Sequence, residues 1–329
     1  MGGKATGGSV KSPLVSITSA FFNAESTLEE VVKSVVAQTY THWELVLLDD
    51  GSTDNSFKLV QSICHPQIKV YRNGKNLGRA RSLNKLTALC QGKYIARMDA
   101  DDLCAPLRIE KQVELLESKP WIDLAGTGIC YLDGCDHPVG YTQVPQDHEQ
   151  ICRHPSRTFG LCHGSVLGRK VWFERNRYDE SLKIAVDFNL WLRTYQKSVF
   201  SNIPAPLYFY RLDNSFHIKK LTSARMTSAR FLFHYFRSVK NNGAALKGCA
   251  AQYLKLIITI TAFLSGQRAA LMKRRYLPCS RKQRDAFQNE IRTIKGIKLD
   301  QFAKSPPGRP PVVVRRPDDL ISIYRVHLS

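Results

Sequence analysis

The sequence predicts an α/β fold with a doubly wound, mostly parallel sheet and flanking helices. Strand-like apolar runs alternate with helical patterns, and the loops between them are short. The runs lie at residues 14–18, 44–48, 68–72 and 94–98, and the helical patterns at residues 28–36, 54–60 and 81–90. Polar clusters follow three of these strands, at residues 18–23, 49–52 and 99–102. Because ligands bind beyond the carboxyl ends of parallel strands, the three clusters predict a binding crevice.

Local signals justify the elements of the first half. Ser26-Thr27-Leu28-Glu29 has the form of a capping box, and apolar residues then recur at helical spacing as far as Val36. The run at residues 44–48 is almost wholly apolar, which is typical of a strand buried on both faces. Gly92 precedes the fourth strand, which ends in acidic residues.

The second half gives fewer regular signals. We expect Trp191 to be a core residue, because it stands at helical spacing with other apolar side chains. The elements predicted after residue 118 are a buried strand at 121–131, a loop-rich crossing at 133–158, helices at 169–175 and around Trp191, and a strand ending at 208–211.

Charge divides the chain unevenly. The 329 residues carry a formal net charge of +20. Residues 1–216 contain 25 Lys and Arg against 23 Asp and Glu, whereas residues 217–329 contain 23 against 5. We therefore expect a flexible lead at 1–12, a near-neutral globular domain at 13–216, and a basic helical extension at 217–329 with a partly disordered tail.

The basic extension admits more than one kind of partner. Residues 245–265 form a mostly apolar helical run that Lys247, Gln252 and Lys255 interrupt, and a basic cluster follows at 273–284. An apolar face beside a basic cluster is typical of attachment to anionic lipid, so we expect the run to lie on a membrane or pack on the domain rather than span the bilayer. A solvated basic face beside a core helix is the plainer interpretation. The basic charge would also suit nucleic-acid binding, but the sequence contains no zinc motif, RNP-type strand or basic heptad helix.

The cysteine pattern bears on the compartment. Nine cysteines without a C-x-x-C pair or zinc spacing indicate reduced thiols in a cytosolic protein. The first residues contain no apolar segment of a secretory signal. Together with the extension, this predicts a cytoplasmic protein held peripherally at the inner face of the plasma membrane.

Asp99-Ala100-Asp101-Asp102 is the strongest chemical signal. Several carboxylates at the end of a strand fit a hard cation such as Mg²⁺ or Mn²⁺, which takes oxygen ligands and keeps positions for substrate phosphates. An acidic turn that caps the next helix is the alternative. The chain has neither a G-x-G-x-x-G turn after its first strand nor a G-x-x-x-x-G-K-[ST] loop. A dinucleotide site, a P-loop and a nucleotidyltransferase are therefore not expected.

Three ordered motifs resemble the nucleotide-sugar-binding half of the inverting family 2 glycosyltransferases, which have the GT-A fold. They are VSITSAFFNAESTLEEVVKSVVAQTYTHWELVLLDDGSTDNS, NGKNLGRARSLNKL and GKYIARMDADD. The resemblance is close over the donor half, at residues 13–118, and looser over residues 160–216 of the acceptor half, which we place at 119–216. It implies a metal-dependent hexosyltransferase that uses a UDP-sugar and glycosylates a hydroxyl of a surface polysaccharide, such as lipopolysaccharide, or of a lipid-linked glycan.

The resemblance also implies roles for residues near the nucleotide base. Thr18 and Asp50 resemble uracil contacts, with Asp50 accepting a hydrogen bond from the base edge. Asn23 and Asp49 correspond to residues that shape that pocket.

Other positions resemble the diphosphate end of the donor site. Asp99 and Asp101 match the D-x-D pair that holds the sugar nucleotide and its Mn²⁺ or Mg²⁺, and Asp102 is a further metal ligand that the motif does not separate from Asp101. Arg81, one turn into the helix after the N-x-G turn at residues 76–78, is expected near the diphosphate. Its alternative is a solvated helix charge.

Asp187 is the expected general base. The segment at residues 178–193 resembles the family's YDESFKYAEDYDLWLR, in which the Asp of the Glu-Asp pair takes the proton of the acceptor hydroxyl. Val186 replaces the family's Glu and Asn189 its second Asp, which predicts an acceptor other than the family's commonest. The alternative for Asp187 is an N-cap of the helix. Arg211, which ends a Tyr-Phe-Tyr-Arg segment, either reaches the ligands or forms a structural salt bridge.

A sugar-nucleotide-binding module that has lost catalysis is the remaining alternative. The presence of Asp50, Asp99, Asp101 and Asp187 argues against it.

Overall fold

The computed structural model describes residues 12–212 and 218–302. The predicted lead at 1–12 lies outside this part except for Ser12, and so does the predicted tail beyond residue 302. In the first half, strands and helices alternate as predicted. They are β1 (Val15–Phe21), α1 (Leu28–Val36), β2 (Trp43–Asp49), α2 (Ser56–Gln61), β3 (Ile68–Arg72), α3 (Arg79–Leu89) and β4 (Tyr94–Arg97).

The parallel part of the sheet creates the predicted crevice edge. Strand β1 pairs in parallel with β2 on one side and β4 on the other, and β2 pairs in parallel with β3. Phe21 stands opposite Asp49, and Asp49 opposite Arg72, so β1, β2 and β3 end together. The loops that follow these strands and β4 therefore open on one side of the sheet.

The second half continues the same sheet in mixed orientation. Strand β8 lies antiparallel between β4 and β6, whereas β9 runs parallel to β6 and antiparallel to β5. The elements of this half are β5 (Leu103–Cys104), α4 (Arg108–Ser118), β6 (Leu124–Leu132), β7 (Pro138–Tyr141), α5 (His148–Ile151), β8 (Leu167–Arg169), α6 (Lys170–Arg175), α7 (Val186–Thr194) and β9 (Phe200–Arg211).

Helices on both faces confirm the doubly wound arrangement. Alternate residues of β2 enter two separate cores: Val46 belongs to one and Leu47 to the other. Helices α1 and α4 cover the Leu47 side, and α3, α6 and α7 cover the Val46 side. Trp191 of α7 lies in the core on the Val46 side and is 2% exposed, as predicted.

Two local predictions are wrong. Trp121, expected to begin a buried strand, is 65% exposed, because β6 begins three residues later. The capping box at Ser26 is absent: the N-cap of α1 is Thr27, which makes no side-chain cap. The Thr27 hydroxyl donates instead to the carbonyl of Ala100 at 2.8 Å, and so ties α1 to the acidic loop.

The C-terminal region does not lie wholly apart from the domain. Its elements are α8 (Ile218–Ser238), α9 (Asn242–Leu264), α10 (Arg268–Lys273), β10 (Leu277–Pro278) and α11 (Arg281–Lys295). Strand β10 pairs with β7 at the sheet edge. Helix α11 buries Phe287, Ile291 and Ile294 in a third core, and its Lys295 pairs with Glu30 and Asp136. In the described part of the chain, no helix combines the length and the apolarity needed to cross a membrane.

Candidate active site

A cavity of about 750 Å³ opens at the carboxyl edge of β1 and β2. Its walls are residues 20–22 at the end of β1, residues 76–82 around the start of α3, and residues 180–183 before α7. Asp50 and Arg81 of the predicted site line it. The cavity thus lies where the strand ends were expected to form a crevice.

Asp50 holds the N-x-G turn against the end of β2. Its Oδ1 accepts hydrogen bonds from Asn73 Nδ2 at 2.8 Å and Leu77 N at 2.9 Å, and its Oδ2 accepts one from Gly78 N at 3.0 Å. Each carboxylate oxygen can accept two hydrogen bonds, so Oδ2 keeps one acceptor position. Gly78 has a φ of +89°, which favours glycine at this turn.

Thr18 is not in the cavity, and the predicted base contact is corrected. Its side chain is 1% exposed, and its hydroxyl donates to the carbonyl of Ala96 and accepts from Arg97 Nη1, each at 3.2 Å. The physical reason is that β1 continues to Phe21, three residues past the predicted strand end. Thr18 therefore lies within the sheet.

Asn23 and Asp49 stabilise the loops beside the cavity. Asn23, with a φ of +52°, accepts from Thr53 N at 2.9 Å through its side-chain oxygen. Asp49 is buried; it accepts from Ser52 N at 2.8 Å and lies 2.9 Å from Arg72 Nε. Both side chains join neighbouring loops, and neither lines the cavity.

The three aspartates after β4 face different surroundings. The Asp99 side chain is 27% exposed and Asp101 is partly exposed, whereas Asp102 is 1% exposed. The carboxylate of Asp102 accepts from Tyr208 Oη at 2.8 Å and from Arg211 N at 2.9 Å. Burial, with smaller contributions from Asp101 and Asp99, raises the pKa of Asp102 well above its usual range. The structure therefore corrects the third metal ligand: Asp102 anchors the acidic loop to β9.

Arg79 is a site residue that the sequence did not reveal. Its Nη2 donates to Asp99 Oδ1 at 2.7 Å and lies 3.4 Å from His163 Nδ1. The pKa of Arg79 is raised, chiefly by Asp99, with further contributions from Asp187 and Asp101. The guanidinium thus bonds to Asp99 of the predicted D-x-D pair and lies close enough to Asp101 and to the predicted base for their charges to act on it. The available signal in the sequence is its position directly after the N-x-G turn, although the resemblance to the family favours Arg81.

His163 supports Arg79 from behind. It is 5% exposed, and burial, followed by the charge of Arg79, lowers its pKa to about 4. The imidazole is therefore neutral, and the 4.0 Å separation of its Nδ1 from Asp99 Oδ1 is not an ion pair. Because a guanidinium can only donate, we assign Nδ1 as acceptor and the proton to Nε2, which donates to Tyr178 Oη at 2.7 Å.

Asp187 is not the N-cap of α7. The N-cap is Ala185, with a left-handed φ of 56° and no side-chain cap hydrogen bond. Asp187 follows in the first turn, partly exposed, and is near enough to add to the raised pKa of Arg79 and to oppose, in part, the lowering of the pKa of His163 by burial. The adjacent Val186 is 3% exposed in the core.

The two other predicted arginines have different roles. Arg81 is 56% exposed, lines the cavity and lies 3.5 Å from Glu180, so the structure keeps it beside the crevice. The Arg211 side chain is 8% exposed and is paired with Asp136 at 2.6 Å and with Glu30. Arg211 therefore forms the structural salt bridge that was its alternative.

The donor set at Asp99 and Asp101 fits a divalent cation. Mg²⁺ is commonly held by one or two carboxylates together with substrate phosphates. Asp99 uses one oxygen for Arg79, and its other oxygen and the partly exposed Asp101 remain for an ion. Two carboxylates, rather than the three predicted, make up this set.

A second group of side chains, outside the cavity, has potential ligand atoms close enough together to hold a metal ion. Among the described residues, Asp133, Cys135 and His137 are the three potential ligands whose ligand atoms lie within 4.8 Å of one another. They form the turn between β6 and β7, where Asp133 Oδ1 accepts the backbone N–H groups of the other two at 2.9 Å. The contacts are those of a turn, and the group lies outside the cavity lining.

Comparison with known proteins identifies the family of the chain. Residues 16–175 match the model of the glycosyl transferase family 2. EpsE of Bacillus subtilis strain 168, whose name assigns it to the glycosyltransferases, is 31% identical over 69% of this chain and 84% of its own length. The amylovoran biosynthesis glycosyltransferase AmsE of Erwinia amylovora is 30% identical over 55% of this chain and 69% of its own.

A solved structure shares the fold. S. aureus TarS 1–349 in complex with UDP-GlcNAc superposes with a TM-score of 0.53 at 15% identity, covering 88% of this chain and 89% of that one. The likeness extends over the GT-A domain and into the helical C-terminal region. The chain therefore belongs to glycosyltransferase family 2.

Proposed function

We propose that the protein is an inverting, metal-dependent glycosyltransferase that moves a sugar from a UDP-sugar to a hydroxyl of a growing surface polysaccharide or lipid-linked glycan. The observation that carries the proposal is the ion pair at 2.7 Å between Asp99 and Arg79, a residue that lines the cavity, together with the charges of Asp187 and Asp101, which act on the same guanidinium. In this proposal, the donor-holding carboxylates and the base act on one bound pair of substrates.

The donor proposal draws on the cavity and on the fold relative. TarS was crystallised with UDP and with UDP-GlcNAc, and this chain has a cavity of about 750 Å³ at the carboxyl edge of β1 and β2. The open acceptor position on Asp50 Oδ2 suits the N–H of a uracil ring. Asp99 and Asp101 would hold Mn²⁺ or Mg²⁺, which when bound offsets charge on the leaving diphosphate.

The transfer itself needs one base. The acceptor oxygen attacks the anomeric carbon while the bond from that carbon to the diphosphate breaks, and UDP leaves with the electron pair. Asp187 takes the proton of the acceptor hydroxyl during the attack. Asp187 suits this role because it is not the N-cap residue of α7. That position belongs to Ala185, so the Asp187 carboxylate does not cap the helix.

Arg79 binds the diphosphate in this proposal. A guanidinium presents five N–H groups in a planar fork that matches phosphate oxygens. Neutral His163, held by Tyr178, accepts from one of them and keeps the fork at the edge of the crevice. The charge of the guanidinium then acts where negative charge develops on the leaving group.

The acceptor proposal draws on the names of relatives. AmsE is named for amylovoran biosynthesis, and a relative from Escherichia coli, 29% identical over 58% of this chain and 28% of its own length, is a chondroitin synthase. We infer that this chain also extends a polysaccharide or a lipid-linked glycan such as a lipopolysaccharide precursor. Such an acceptor would be met at the cytoplasmic, inner face of the plasma membrane.

The test is hydrolysis of a panel of nucleotide sugars with and without Mn²⁺. We expect slow turnover of a UDP-sugar that EDTA removes, and a decrease of about 100-fold in Asp101→Ala. Calorimetry with UDP provides a readout besides activity: Mn²⁺ should tighten UDP binding by wild type and have little effect on Asp101→Ala. Glu114→Ala, on the exposed side of α4, is the matched control. Absence of both turnover and UDP binding in every form would refute the proposal.

A further inference from the structure

Helix α9 buries small or polar side chains and exposes large apolar ones, the reverse of the usual arrangement in a helix of a globular domain. The residues that it buries are small or polar: Ala245, Gly248, Gln252 and Thr259. Its large apolar side chains point to solvent. We define the outer face of α9 as Leu246, Tyr253, Leu254, Ile257, Ile258 and Leu264, which are 41–83% exposed. A contiguous exposed apolar face of this kind marks an interaction surface.

Polar contacts hold α9 in this rotation. Gln252 Nε2 donates to the carbonyl of Arg157 at 3.3 Å, and Lys255 Nζ donates to the same oxygen at 3.1 Å. Arg225 of α8 donates to the Gln252 side chain at 3.3 Å. A Cβ at Gly248 would lie 3.1 Å from the carbonyl oxygen of Ser156. A rotation of α9 that turned its aliphatic side chains inward would break the hydrogen bonds to the Arg157 carbonyl. It would also bring larger side chains against the backbone at Ser156.

The charge around the outer face has one sign. Helices α8 and α9 together contain seven Lys and Arg and no Asp or Glu, and Lys240 lies in the turn between them. Arg230, Arg237, Lys240 and Lys247 are exposed among them. A helix with an exposed apolar face and basic side chains beside it suits the boundary between headgroups and acyl chains of an anionic bilayer. A cytosolic protein partner would have to supply both a complementary apolar face and acidic groups.

The hairpin of α8 and α9 begins next to the crevice. Lys220, in the first turn of α8, lies close enough for its charge to act on both Asp99 and Asp101: it adds to the lowering of the pKa of Asp99, which burial opposes and Arg79 chiefly causes, and it partly offsets the raised pKa that burial gives Asp101. The surface formed by the hairpin is therefore joined directly to the edge of the sheet where the substrates meet.

We propose that the outer face of α9, with the basic side chains beside it, binds the surface of an anionic lipid bilayer, with α9 lying in the plane of the interface. The binding rests on these observations alone. The role that we give to this membrane binding, which is to bring the crevice to an acceptor carried by a lipid, rests on the proposed function.

The experiment is sedimentation of the full chain with vesicles of phosphatidylcholine alone, or with about one third phosphatidylglycerol. We expect wild type to sediment with the anionic vesicles and less so in high salt. The variant Leu254→Ser/Ile257→Ser/Leu264→Ser should bind at least about tenfold more weakly. Val171→Ser, which removes a 52% exposed apolar side chain from the domain, is the matched control and should bind as wild type.

Three results would overturn the proposal. They are no sedimentation of wild type with anionic vesicles, equal sedimentation of wild type and triple variant, and a wild-type dimer that the triple variant converts to a monomer in light scattering. UDP binding and UDP-sugar hydrolysis by the triple variant should match wild type, which also shows that the variant is folded. Loss of UDP-sugar turnover in all forms would instead count against the proposed function and leave the membrane surface intact.

Discussion

The crevice and the α8–α9 hairpin treat polar side chains in opposite ways. In the crevice, charged groups satisfy one another: Arg79 pairs with Asp99, and Asp50 holds the turn before α3. In the hairpin, Gln252 and Thr259 are buried while Ile257 is exposed to solvent. The crevice therefore offers charged groups to a polar ligand, whereas the hairpin offers exposed apolar side chains to a nonpolar one. The two functions are therefore separable by substitution.

The sharpest test of that separation is the base. Asp187→Asn should lower glycosyl transfer about 10³-fold, because the amide cannot take the proton of the acceptor. UDP binding and vesicle sedimentation should stay within about twofold of wild type, since Arg79 keeps its contact with Asp99 and residue 187 lies outside α8 and α9. Transfer assays, calorimetry and sedimentation measure the three quantities. Normal transfer by this variant would remove Asp187 from the mechanism.

The second largest effect concerns the joint between domain and extension. Asp136 accepts from Arg211 and from Lys295 of α11, and these two cations hold its pKa below the usual range although burial opposes them. Asp136→Asn should lower the free energy of unfolding by about 3 kcal/mol, as expected when one partner of a largely buried ion pair is removed. Urea unfolding measures this. Glu29→Gln, which breaks an exposed pair with Lys33, should cost less than about 0.5 kcal/mol.

The same pair has a defined pH dependence. Because the folded-state pKa of Asp136 is lowered, its stabilisation is complete above the unfolded-state pKa and disappears as the pH falls through the folded-state value. The stability difference between wild type and Asp136→Asn should therefore be constant near neutral pH and shrink below about pH 4. A difference that grows on acidification would contradict this assignment.

A smaller effect separates the two arginines of the N-terminal part of α3. Arg79→Lys keeps the charge but loses the fork, so kcat/KM for the donor should fall about 10- to 100-fold, the value of one or two charge-assisted hydrogen bonds. Arg81→Lys, at a 56% exposed position, should change it by less than about threefold. A larger loss in Arg81→Lys than in Arg79→Lys would restore the prediction made from the sequence.

The smallest effect tests the correction at Thr18. Thr18→Val removes a hydroxyl that bonds to Ala96 and Arg97 inside the sheet. Stability should fall by about 1 kcal/mol, while the affinity for UDP stays within about twofold of wild type. Calorimetry and urea unfolding give both numbers. A tenfold loss of UDP affinity at unchanged stability would return Thr18 to the base pocket.

Residue patterns were sufficient wherever the determinant is local. The periodicity of β1 to β4, the buried Trp191 and the turn at residues 76–78 depend on neighbours in sequence. Patterns failed where an element ends late or a side chain finds a distant partner. Thr18 was misplaced because β1 runs to Phe21, and Asp102 because Tyr208, far along the chain, bonds to it.

The sequence by itself determined the fold class and the family, because strand periodicity and ordered short motifs are written in consecutive residues, and it predicted the D-x-D pair and the base. Only the tertiary structure decided which charged groups meet. Arg79 reaches Asp99 and His163 because separate loops close on one sheet edge. The outward direction of the α9 aliphatic side chains was likewise undetermined, because helical spacing defines a face but not which neighbour it meets.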